Sequence, residues 1–72
     1  MKTEKVFIHT DYIKLDSLLK LSGHFGSGGE AKQEILNGKV KINGEVCLLR
    51  GKKIHIGDII ELDNIKIEVL GV

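Results

Sequence analysis

Residues 27–44, SGGEAKQEILNGKVKING, constrain the fold of this chain more than any other stretch. They read as a glycine-rich lead-in, a short helix, a glycine stop, a strand and a tight turn. Ser27 or the glycines after it can cap the helix, and Glu30 stands three residues beyond Ser27, in capping-box spacing. Ala31, Ile35 and Leu36 give the helix one apolar face, while Lys32 and Gln33 point elsewhere. Asn37-Gly38 ends it, because glycine takes the left-handed conformation that a helix C-terminus often needs. Val40 and Ile42 alternate with Lys39 and Lys41, which predicts a half-buried strand with a basic outer face. Asn43-Gly44 is the strongest short-range signal for a two-residue hairpin turn.

The flanking segments carry simpler signals. Val6-Phe7-Ile8 predicts a first strand, and Thr10-Asp11 a turn or cap. Leu15, Leu18, Leu19 and Ser22 recur at helical spacing, predicting a helix over roughly residues 14–22 that Gly23 stops. Two helices joined this closely pack at an angle, as in a helix-turn-helix. Beyond the Asn43-Gly44 turn, residues 45–49 return as a partner strand, and Arg50-Gly51-Lys52-Lys53 forms a basic loop. Ile54 and Ile56 alternate with Lys53 and His55, Gly57-Asp58 marks a turn, and residues 59–62 read as a buried strand. Asp63-Asn64 turns the chain again into Ile65, Ile67 and Val69, spaced by two. The sum is an α+β chain of two helices and about five or six short strands, with no repeat or linker.

At 72 residues the expectation is one domain over 1–72, with an efficient core. No apolar run approaches the roughly 20 residues of a membrane span, and MKTEK does not open a signal peptide. One cysteine, Cys47, excludes an internal disulfide, and the expected setting is the reducing cytoplasm. The net charge is only +1, but it is unevenly spread. Residues 1–31 balance, residues 32–53 carry six basic groups against two acids, and residues 54–72 carry one lysine against four acids. A basic middle and an acidic tail suggest a charged face aimed at an anionic partner, although two solvated surfaces would give the same pattern. With only Phe7, Tyr12 and Phe25 as aromatics, base stacking along a single strand is not expected.

Enzyme chemistry finds no foothold in the motifs. Gly28-Gly29 precede a helix, but Glu30 follows them where a P-loop needs GK[ST], and no strand leads into them as a dinucleotide site requires. His9, His24 and His55 are scattered and read as surface residues, so no metal or cofactor is expected. Cys47 reads as a small core hydrophobe, and Asp16, Asp58 and Asp63 have no carboxylate partner, Asp58 falling in a turn. The basic residues remain. Lys14 and Lys20 lie on the first helix, Lys32 on the second, Lys39 and Lys41 on the next strand, and Arg50, Lys52 and Lys53 in the loop. They are either the solubilising half of amphipathic elements or, where they border one surface beside free N–H groups of a helix N-terminus, a face that neutralises phosphates and reads the backbone of folded RNA.

The order of parts resembles the alpha-L RNA-binding motif, or S-four domain, named after a small-subunit ribosomal protein. Four pieces carry the likeness: KLDSLL at 14–19, EAKQEI at 30–35, GKVKING at 38–44 and IGDIIEL at 56–62, covering residues 14 to about 64. The resemblance implies two packed helices against a small, mainly antiparallel sheet of about five strands. It also implies a non-enzymatic, monomeric binder of structured RNA, in the manner of small stand-alone bacterial members tied to ribosomal RNA and ribosome assembly. Family positions that face RNA fall on Lys14, Asp16, Ser27, Gly28 and Lys32, and the neighbouring candidates are Gly29, Gln33, Lys39, Lys41, Arg50, Lys52 and Lys53. Many members have arginine where Gly28 stands and another basic residue where Ser17 stands. Three other modules share parts of the pattern. A KH domain uses a GxxG as in Gly23 to Gly26 but needs a third helix, a sulfur carrier needs a terminal Gly-Gly, and a helix-turn-helix DNA binder needs a longer second helix. The alternative from another class is an adaptor whose basic face binds an acidic protein.

Overall fold

The computed structural model describes residues 2–26 and 28–72. Seven strands and two helices follow in the order β1 (Lys2–Ile8), β2 (Tyr12–Lys14), α1 (Leu15–Leu21), α2 (Gly28–Leu36), β3 (Val40–Ile42), β4 (Glu45–Val46), β5 (Lys53–His55), β6 (Ile59–Leu62) and β7 (Ile65–Gly71). A five-stranded sheet runs β1-β7-β6-β3-β4, and β2 pairs with β5 in a separate two-stranded ribbon. All pairings are antiparallel except β1 with β7, where the first and last strands lie side by side in parallel.

Alternation along the strands puts Val6, Ile8, Val40, Ile60, Leu62, Ile67 and Val69 on one face of the sheet, where they join Leu15, Leu18, Leu19, Ala31, Ile35 and Ile54 in one buried cluster. Phe25 and Cys47 pack against its edge. The turns follow the residue chemistry. Asn43 and Gly44 both take positive φ (51° and 89°), the geometry a two-residue hairpin needs between β3 and β4. At the end of α2, Gly38 has φ 74°, its N–H donates to the Ile35 carbonyl, and the Lys39 N–H donates to the Glu34 carbonyl. That pair of bonds is a Schellman stop.

Four local expectations change. The helix begins at Leu15, and residues 12–14 are instead a strand, too short to leave a periodic trace. The partner strand of the hairpin ends at Val46, although the Cys47 N–H still reaches the Val40 carbonyl. Leu36 is 50% exposed, because it lies about 100° around the helix from Ile35 and the helix stops before any element can cover it. Ile56 is 53% exposed, since the chain leaves β5 at His55 and turns, laying Ile56 against Gly71. The Ser27 cap lies outside the described residues; beside it, the Glu30 carboxylate accepts the Gly26 N–H at 2.9 Å.

Candidate nucleic-acid interface

The basic loop is tied to the first helix through its backbone. The Leu15 N–H donates to the Lys52 carbonyl (2.9 Å) and the Asp16 N–H to the Arg50 carbonyl (3.0 Å). Two of the donors that every helix start leaves over are thereby satisfied by the loop rather than by a side-chain cap. With the loop's carbonyls turned onto α1, exposed Arg50 and Lys52 are held beside exposed Lys14.

The β2–β5 ribbon completes the cluster. Tyr12 pairs with His55, Ile13 with Ile54, and Lys14 with Lys53. Ile54 is buried and Ile13 half-buried, so alternation sends Tyr12, His55, Lys14 and Lys53 to the other, exposed face. Lys14 and Lys53 are therefore like charges directly opposite on an antiparallel ladder, an arrangement that costs stability. No acid offsets it: among the described residues the ion pairs are His24–Glu4 and His55–Asp58, and neither involves a lysine or arginine. Lys53 Nζ instead lies 4.9 Å from the centre of the Tyr12 ring.

The other candidates are distributed differently. Gly28, Gly29, Lys32 and Gln33 lie on α2, which packs on α1. One flank of that helix is acidic, a shallow hollow there being lined by His24, Gly29, Glu30, Gln33 and Glu34. Lys39 follows the opposite end of α2, about 13 Å of helix from Gly28, where a cation complements the helix dipole. Lys41 projects from the face of β3 opposite Val40 and Ile42, with Glu61 and Val46 as its ladder neighbours. Asp16 acts locally, its carboxylate accepting the Ser17 N–H at 2.7 Å. Ser27 lies outside the described residues. The structure thus joins the backbones of Lys14, Arg50, Lys52 and Lys53, and places Lys39 after α2 and Lys41 on β3, outside that set of bonds.

Tyr12 and His55 escaped the sequence reading. The alternation Lys53-Ile54-His55 placed His55 outward, but three residues of β2 gave Tyr12 no comparable signal. Beneath the cluster, Asp58 fixes the ribbon to the hairpin. Its carboxylate accepts the His55 N–H (2.8 Å) and the Asn43 amide (3.2 Å), while the Asn43 side-chain oxygen accepts the Ile59 N–H (3.0 Å).

Two packed helices against a mainly antiparallel five-stranded sheet are the architecture of an S4-type module. The family model described as S4 domain matches residues 6–70, and the chain belongs to that family. It is also similar to a Bacillus subtilis (strain 168) protein named "Probable ribosome maturation protein RlbA", with 36% identity over 58 residues, covering 81% of this chain and 82% of the relative. No helix among the described residues is long and apolar enough to cross a membrane.

Proposed function

We propose that this chain is a non-enzymatic, cytoplasmic RNA-binding module that grips structured ribosomal RNA during ribosome maturation. The observation that carries the reading is the Lys14–Lys53 pair, two cations set opposite each other and flanked by Arg50 and Lys52, with no acid paired to any of them among the described residues. Phosphate oxygens relieve that repulsion and release counterions on binding. The S4 family membership and the name of the Bacillus relative support RNA in a ribosomal setting.

Backbone contacts of this kind position a protein on folded RNA without reading its bases. The loop cluster supplies the principal contacts, and the start of α2 with Lys32 supplies subsidiary ones. Glu30 weakens the anion attraction at that helix start, because its carboxylate already holds the Gly26 N–H.

Competition binding tests the reading. A folded ribosomal RNA fragment should displace duplex DNA and unstructured RNA from the protein, and Lys53→Glu should abolish that advantage. An adaptor for an acidic protein remains the second reading, favoured by exposed Leu48 and Leu49 beside Lys52 and Lys53 on one open groove. Complexes that survive nuclease treatment would decide for the adaptor.

A further inference from the structure

The outward face of the β2–β5 ribbon holds more than charge. Tyr12 is 40% exposed and the His55 side chain 61% exposed, and their ring centroids stand 6.3 Å apart with the planes tilted by 51°. Lys53 lies over the Tyr12 ring, and Lys14 is the next outward residue along β2. A ring pair half open to solvent, with two cations within one ladder step, matches the chemistry of a nucleotide: a flat π surface joined to a phosphate.

We propose that Tyr12 and His55 form a stacking subsite for a single unpaired nucleotide, whose flanking phosphate is held by Lys14 and Lys53. The inference rests on the RNA-binding reading and adds a specificity to it. One subsite cannot track a single strand, which needs a succession of rings. It can take one base splayed from a helix at a bulge or junction, where the base is unstacked and available. Lys53 Nζ, 4.9 Å from the centre of the Tyr12 ring, occupies the face a stacked base would use, so a base stacking on that face displaces the cation, whose favourable partner is then the nucleotide's phosphate. Asp58 fixes the backbone beneath His55 by accepting its N–H at 2.8 Å, so the platform is built on an anchored strand end.

Tyr12 is the sole tyrosine, and the chain has no tryptophan, so its emission reports on this subsite alone. The test uses two RNA hairpins closed by the same tightly stacked loop, one with a fully paired stem and one with a single-nucleotide bulge in its stem. The bulged hairpin should bind about tenfold more tightly, the range expected for one base stacked on an aromatic ring, and should quench Tyr12 emission where the paired hairpin does not. Tyr12→Ala should erase the preference, and Tyr12→Phe should restore it. Equal affinity of the wild-type protein for both hairpins, or a preference that survives Tyr12→Ala, overturns the subsite but leaves the phosphate-gripping face standing. Failure of both hairpins and of folded ribosomal RNA to bind overturns the RNA reading and the subsite with it.

Discussion

Lys14 concentrates the conflict between stability and binding. It closes β2, precedes α1 as its N-cap without a side-chain capping bond, and faces Lys53 across the ladder. Removing its charge with Lys14→Gln should stabilise the free protein slightly, by about a few tenths of a kcal/mol after solvent screening, because it removes a like-charge pair. The same change should weaken RNA binding. Thermal unfolding and a binding titration on one variant check both signs, and a loss of stability together with unchanged affinity would contradict the assignment. Lys66→Gln is the matching control: Lys66 sits on β7 with Glu61 and Thr3 as its ladder neighbours, and RNA affinity should not change. At this scale the sequence showed which residues were cationic and which alternated outward. It could not show that Lys14 and Lys53 meet, since 39 positions separate them and only the ladder joins them.

Among the elements, the turns were the most legible parts because each needs a particular residue chemistry. Asn43-Gly44, Asn37-Gly38 and Gly57-Asp58 all turn the chain where their dipeptides said they would. Gly38→Ala forces a Cβ onto a residue at φ 74° and should destabilise the protein by about 1 kcal/mol, read from the denaturant midpoint at unchanged slope. Asp58 ties two elements together, the ribbon and the β3–β4 hairpin. Asp58→Ala strips the acceptor from the His55 N–H and the Asn43 amide, and should cost about 1–2 kcal/mol. It should also loosen the β5 end of the ribbon, visible as faster amide exchange at His55. The segments that misread were those whose fate tertiary contacts decide. Residues 12–14 become a strand only because β5 is there to pair with, and Leu36 and Ile56 look like core residues by spacing yet find no covering element.

For the whole molecule, helix number, class and the antiparallel hairpin followed from periodicity, whereas the parallel union of β1 with β7 left no local mark. That union encloses a small core. Ile67 is fully buried in the strand between β1 and β6, and Ile67→Ala should cost about 2–5 kcal/mol, a large share of the stability of so small a domain. The β2–β5 ladder and the backbone bonds from Leu15 to Lys52 and from Asp16 to Arg50 carry the 50–53 loop to the start of α1, so the cationic edge is a product of the fold rather than of any one segment. The most direct test of that edge is the salt dependence of affinity for a folded ribosomal RNA fragment, compared between the wild-type protein and the Lys14→Gln/Lys53→Gln double variant. Every phosphate that the protein no longer neutralises should make the negative slope of log affinity against log salt shallower by about one, so the double variant's slope should be shallower by about two. An unchanged slope in the double variant would contradict a phosphate-gripping role for the Lys14–Lys53 pair.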